Sequence, residues 1–145
     1  MKPLPIVQET LHTQSRQQIV DLTAIVQGHI SRHKVIEGMA IIYVPHTTAA
    51  VTINENYDAD VKHDLLEKLS TLVPKEEPYY DHDEGNSDSH VKTALVGNSA
   101  TLLIEHGKLL LGRWQGVYFC EFDGPRERRF MLKIVEWNSG RPGSD

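Results

Sequence analysis

Tyr80 to His90 reads YDHDEGNSDSH and holds two histidines, four acids, an asparagine, a glycine and two serines. Loops are polar by habit, but few crowd so many donors together. A divalent cation needs several N or O atoms converging within about 2.0–2.6 Å, and His82, Asp83 and His90 are atoms of that kind. A fourth donor, His46, follows the strand-breaking Pro45 and would join them if the two segments meet. Imidazole mixed with carboxylate favours zinc or manganese over calcium, with magnesium the further candidate. No H-E-x-x-H or C-x-x-C spacing fixes the geometry. A solvated acidic loop is the plainer account, although Asp81, Asp83, Glu84 and Asp88 repel one another without a cation.

Two further stretches could carry chemistry. In VPHTTAAVTINENYD (44–58), Thr47 and Thr48 follow His46, and Asn54, Glu55 and Asn56 close the next apolar run. Glu55 continues the alternation of Val51 and Ile53, so it could face inward; Asn56 and Asp58 serve equally well as helix-cap residues. In LGRWQGVYFCEFD (111–123), Gly112 and Gly116 flank Arg113, Trp114 and Gln115, the pattern of a bend or bulge that re-aims side chains. Glu121, on a strongly apolar strand, is either paired with Arg128 or Arg129 across a hairpin or placed for use. Cys120 has no activating base beside it, which argues against a nucleophile. His12, His29, His33, His63 and His106 occupy ordinary strand, helix or turn settings.

The elements that must hold these groups alternate in kind. Residues 5–13 and 16–21 look extended. Leu22, Ile25, Val26 and Ile30 form the stripe of an amphipathic helix, with Asp21 as N-cap and Gly38 just beyond its end. MAIIYV (39–44) and TAAVTI (48–53) read as strands. A second helix after Asp58 carries Val61, Leu65, Leu66, Leu69 and Leu72 and stops at Pro74. Ser87 can cap a third helix bearing Val91, Ala94 and Leu95, closed by Gly97. TLLIEHGKLLLG is a hairpin turning at His106-Gly107. GVYFCEFD and RRFMLKIVEW are two more strands, joined by GPRE. The expected fold is α+β, with two packed, mostly antiparallel sheets and two or three flanking helices. One domain over 1–136 is expected, with a flexible tail over 137–145.

Bulk properties exclude several classes. The chain has 145 residues, 39% hydrophobic and 24% charged, which is globular composition. A net charge of −5 and the lack of a basic aromatic stripe argue against a nucleic-acid module. A single cysteine suits a reducing cytoplasm. Neither an eighteen-residue apolar run nor the h-region of a signal peptide occurs, so no membrane role is expected.

PHTTAAVTINEN, the HD-E-GNSDSH loop and LGRWQGVYFCEFDGPRERR together resemble the signature of the YjbQ-like family, from about Ile6 to Glu136. Members of that family are sometimes labelled secondary thiamine-phosphate synthases. The resemblance implies a two-sheet α+β domain assembling as a homotrimer, with clefts near the subunit contacts. The family's polar positions fall on His46, Thr47, Thr48, Asn54, Glu55, Asn56, His82, Asp83, Gly85 and His90. They continue at Gly112, Trp114, Gln115, Gly116 and Glu121; His106 departs from the expected polar, non-histidine residue. The synthase reaction joins a pyrimidine diphosphate to a thiazole phosphate with loss of pyrophosphate. His46, His82, Asp83 and His90 would hold the metal. Thr47, Thr48, Ser87, Ser89 and Trp114 would bind substrate, the serine amides facing phosphate and the indole stacking. Glu55, Asn54, Gln115 and Glu121 would serve catalysis. The competing expectation is a homotrimer that binds a metal or a small phosphorylated metabolite without turnover.

Overall fold

The computed structural model describes residues 1–137. In chain order the elements are β1 (Lys2–Pro3), β2 (Val7–His12), β3 (Gln18–Asp21), α1 (Thr23–Arg32), β4 (Gly38–Tyr43) and β5 (Ala49–Glu55). They continue with α2 (Ala59–Leu72), α3 (Ser87–Val96), β6 (Ser99–Glu105), β7 (Lys108–Leu109), β8 (Gln115–Glu121) and β9 (Glu127–Glu136). The larger sheet runs β1-β9-β4-β6-β7, with β2 also paired to β9; the smaller runs β3-β8-β5. Every described ladder is antiparallel. The α+β architecture expected from the sequence is therefore the one observed.

Alternation decides where the core sits. Ala40, Ile42, Leu102, Ile104, Phe130, Leu132 and Ile134 on the larger sheet meet Ala49, Val51, Val117 and Phe119 on the smaller, with Val26 and Ile30 of α1. Each of the larger of these side chains, the valines, leucines, isoleucines and phenylalanines, contributes about 1.5–3 kcal/mol when fully buried. β8 is buried on both faces, because Tyr118 and Cys120, with Phe122 just beyond the strand, pack on the other side with Leu66 and Leu69 of α2.

Several local expectations are corrected. Gly38 is not a helix terminator. It opens β4 where a Cβ would lie 2.1 Å from the Val135 carbonyl oxygen, so only glycine lets β4 and β9 approach. The chain leaves α1 instead through Lys34, at φ 55°. Asp21 acts one residue outside the formal N-cap, Leu22, its Oδ1 accepting the Thr23 N–H at 2.9 Å. Asn86, not Ser87, is the N-cap of α3. Gly116 makes no bulge: it sits in register opposite Asn54, and its missing Cβ leaves room for the Asn56 side chain. His106 and Gly107 do take positive φ, 52° and 78°, at the β6–β7 turn.

The largest correction concerns α3. Its apolar stripe, Val91, Ala94 and Leu95, faces outward, while Asp88, Ser89, Lys92 and Thr93 are buried. Most of this buried polar face is satisfied, the Thr93 hydroxyl alone having no partner among the described residues. Asp88 pairs with Arg16 at 2.9 Å and Lys92 at 3.1 Å, and Ser89 Oγ donates to the Phe122 carbonyl at 2.6 Å. Of the tail, Trp137 donates its backbone N–H to Glu37 O at 2.9 Å, and 138–145 lie outside the described residues.

Candidate functional site

The β4–β5 connection is held open by one side chain. Asn98 Nδ2 donates to the carbonyl oxygens of His46 at 2.8 Å and Val44 at 3.1 Å, fixing the turn that Pro45 begins. Across from it lies the start of α3, anchored by Asn86 Nδ2 donating to Asp123 Oδ2 at 2.8 Å. Between them is a cavity of about 300 Å³ whose walls include His46, Thr47, Thr48, Asn86, His90 and Arg128. A second cavity, about 440 Å³, opens on the other side of His90, walled by Tyr79, Tyr80, His82 and Val91. His90 lines both.

The structure therefore brings His82 and His90 together, their ring centroids 5.3 Å apart and edge to face. It brings His46 and His90 to one cavity, but His46 and His82 share none of the described ones. Asp83 is exposed and lines none of them. The Glu84 carboxylate lies 3.6 Å from His82 Nε2. Two imidazoles on one tetrahedral zinc, with Zn–N about 2.0–2.1 Å, have centroids roughly 5 Å apart. The His82–His90 pair fits a cation in that respect. No cluster of three His, Cys, Asp or Glu donors exists among the described residues, so the remaining positions would fall to water or ligand oxygens.

His46 is bonded differently. The backbone N–H of Arg129 donates to its Nε2 at 3.0 Å. Burial and the adjacent Arg128 charge both hold its pKa below the ordinary imidazole value, so the ring is neutral at pH 7. Under it, Arg128 and Glu121 form a buried pair, with Arg128 Nε donating to Glu121 Oε1 at 2.9 Å and Nη2 donating to Thr48 Oγ1 at 2.7 Å. Thr13 Oγ1 donates a further bond to the carboxylate at 2.7 Å. Burial alone would raise the Glu121 pKa; the bonds from Arg128 and Thr13 outweigh it and hold the carboxyl below its usual range. Of the two sequence accounts of Glu121, the ion pair is the one present, and Arg128 is its partner. Glu121 is fully buried, and Thr48 spends its oxygens on Arg128.

Ser89 uses its hydroxyl on Phe122 and its amide on Asn86 O, at 3.0 Å, so it faces inward rather than to a phosphate. Ser87 lines the aromatic-walled cavity. The other predicted group sits elsewhere. Glu55 and Gln115 are register partners at the far end of β5, and a strand of that length puts Glu55 about 20 Å from its beginning near His46. There Asn54 Oδ1 accepts the Glu55 N–H, Gln115 Oε1 accepts the Gly112 N–H, and Trp114 packs edge-on to Tyr57 at 5.0 Å. Burial, with Asp21 and Glu55 nearby, pushes the Tyr118 hydroxyl up to about 12, and it donates to Asn56 Oδ1 at 2.8 Å. Within one chain these residues form a second polar corner and do not meet the histidines. Burial likewise raises the Cys120 thiol to about 12, leaving it unreactive.

Sequence reasoning passed over Tyr79, Tyr80, Asn86, Asn98, Arg126 and Arg128 as wall or anchor residues. The adjacent tyrosines before an acidic loop were a usable signal. Asn98 was not, since its role depends on carbonyls some fifty residues away.

A family profile described as UPF0047 protein YjbQ-like matches residues 8–137. A UPF0047 protein of Methanocaldococcus jannaschii is 54% identical over 125 residues, 86% of this chain and 90% of that one. The UPF0047 protein YugU of Bacillus subtilis is 44% identical over 86% of this chain and 95% of its own. Among solved structures, a YjbQ/UPF0047-family protein of Clostridium acetobutylicum superposes with a TM-score of 0.86 at 46% identity, covering 89% of this chain and 99% of that one. A YbjQ-like protein of Sulfolobus solfataricus gives 0.88 at 26% identity, covering 94% and 99%.

Proposed function

The chain belongs to the UPF0047 YjbQ-like family, and from that premise we propose that it is a metal-dependent enzyme acting on a small phosphorylated metabolite. The observation that carries this reading is the position of His90 between two unlike cavities. One is walled by Tyr79 and Tyr80 and suits a flat heterocycle; the other is walled by His46, Thr47, Arg126 and Arg128 and suits an anionic end. His82 and His90 are the residues that would hold a divalent cation, zinc or manganese before magnesium, which would neutralise the charge of a leaving diphosphate. Tyr79 and Tyr80 stack against the ring of the ligand, and Thr47 and Ser87 orient its polar substituents. The reaction class in keeping with this is displacement of diphosphate, as in thiamine-phosphate synthesis.

The test is turnover. Metal-loaded protein supplied with the pyrimidine diphosphate and the thiazole phosphate should release pyrophosphate. Release should stop with a chelator and fall at least about a hundredfold in His90→Ala, the weight of a metal-positioning group. Release no faster than without protein sinks the enzyme reading.

A second reading is a homotrimer that binds a metal or metabolite without turnover. It is favoured by the exposed apolar stripe of α3, where Leu95 is 64% exposed beside the aromatic-walled cavity. A cytoplasmic setting accords with the single buried cysteine. No helix among the described residues is long and apolar enough to cross a membrane.

A further inference from the structure

An imidazole nitrogen that accepts a hydrogen bond bears no proton, and in a neutral ring the proton is then on the other nitrogen. His46 Nε2 accepts the Arg129 amide at 3.0 Å, so Nδ1 is the N–H. Neither nitrogen has a lone pair left for a cation, and the ring offers its surroundings one fixed donor. The turn that carries it is immobilised by Asn98, which makes the donor a positioned one.

We propose that His46 is a hydrogen-bond donor to the phosphate end of a small monoester, seated in the 300 Å³ cavity with Arg126 and Arg128, and not a metal ligand. The choice of a phosphorylated ligand rests on the function proposed above; the donor role rests on the ring's own bonding.

The walls support an oxyanion. Arg128 is 4% exposed and its Nε and Nη2 are committed to Glu121 and Thr48, while Nη1 has no recorded partner among the described residues. Arg126 repeats the pattern: Nε donates to Asp123 O and Nη2 to Asp123 Oδ2, both at 2.8 Å, leaving Nη1 uncommitted among the described residues. Two guanidinium N–H₂ groups, the His46 N–H and the Thr47 hydroxyl give donors enough for the terminal oxygens of a phosphate. The carboxylates of Glu121 and Asp123 are already paired; Glu84, also in the wall, disfavours a dianion. A singly charged ester brings an O–H of its own. Asn86 Oδ1, buried in the same wall with no partner among the described residues, is an acceptor for such a proton.

The experiment is a titration of inorganic phosphate into the whole chain in the presence of EDTA, followed by calorimetry and by long-range proton–nitrogen spectra of the imidazoles. His46 should show the Nδ1–H tautomer throughout, with that resonance moving as phosphate saturates. His46→Ala should weaken phosphate about tenfold, and Arg126→Ala, at a half-exposed position, by a similar factor. His46→Asn, whose amide N–H₂ falls near Nδ1, should stay within about threefold of the parent. In a separate titration with zinc alone, His46→Ala should bind as the parent does, whereas His90→Ala should not. An Nε2–H tautomer, unchanged phosphate affinity in both alanine variants, or zinc binding lost in His46→Ala would each overturn the proposal. None of these readouts involves turnover, so failure of the synthase assay leaves the donor role standing, and the reverse holds as well.

Discussion

Arg128 sets the electrostatics of the candidate site from beneath. Its guanidinium joins Glu121 on β8 to Thr48 at the head of β5, and both charges are buried. Removing one partner strands the other away from water, which costs far more than losing a surface pair. Arg128→Met should therefore lose about 3–5 kcal/mol in urea denaturation, and adding Glu121→Gln should recover part of it. A loss below about 1 kcal/mol in the single variant would show that the pair does not carry the load assigned to it. The same pair makes a pH prediction. Glu121 and Asp88 are both held below the ordinary carboxylate range, against burial, by bonds from Arg128 and Thr13 and from Arg16 and Lys92. A depressed carboxylate contributes stability that is full above its unfolded pKa of about 4 and fades as pH falls through the folded value. His46, kept neutral by burial and Arg128, adds a loss that begins lower than about pH 6.5, where the unfolded ring takes up a proton. Urea midpoints should hold above neutrality, decline gently below it and steeply under about pH 4, with the steep limb shallower in the double variant. Glu121 shows how far single residues were legible. An acid on an apolar strand announced a partner, but whether Arg128 or Arg129 filled that place depended on which arginine faces inward on β9.

At the scale of elements, the sequence located each principal strand and helix within a few residues but misjudged one face. The period of Val91, Ala94 and Leu95 predicted α3 well. What no local pattern could tell was that Arg16, before β3, and Phe122, after β8, would meet the opposite, polar stripe and take up its Asp88 and Ser89. Burial of a polar face is decided by partners distant in the chain, and a single segment does not encode them. The two site groups failed to converge for a related reason. One borders the start of β5 through His46 and the other sits at its end with Glu55, and strand length alone keeps them apart. Glycine is the element-scale device with the sharpest consequence. A Cβ at Gly38 would sit 2.1 Å from Val135 O, in the middle of the larger sheet. Gly38→Ala must push β4 and β9 apart and should cost about 3 kcal/mol by thermal or urea unfolding. Gly85→Ala, where nothing lies within 4 Å of the added carbon, costs only the strain of its φ of 73°. A Gly38→Ala variant as stable as the parent would mean that the β4–β9 register is not as described.

At the scale of the whole molecule, two apolar surfaces have no covering layer among the described residues. One is the outer face of α3. The other is the outward side of the larger sheet, where Met39 is the register partner of Leu103, and Tyr43 that of Met131. Leu103 and Tyr43 are half exposed. Scattered apolar residues on a surface need no account, but contiguous rows flanked by polar ones mark contact sites. A chain with net charge −5 gains colloidal stability from that charge and has little reason to keep such rows bare unless another copy covers them. The proposed homotrimer would cover them, and an acid placed in either row tests it. If a row is buried between subunits, Leu95→Glu or Leu103→Glu puts an unpaired charge into an apolar contact and should dissociate the assembly at micromolar concentration. Each position is open to water in the single chain, so the fold should survive the change. Sedimentation velocity should give three chain masses for the parent and one for a dissociating variant, with the His82 and His90 ring resonances retained in both. A parent that sediments as a single chain removes the trimer outright. A variant that stays trimeric assigns the contact to the other row. Leu95 adjoins the aromatic-walled cavity through Val91, so the two substitutions also differ in what they reach. Phosphate binding at His46 should persist in a dissociated Leu103→Glu chain, because each wall of that cavity described above comes from one copy.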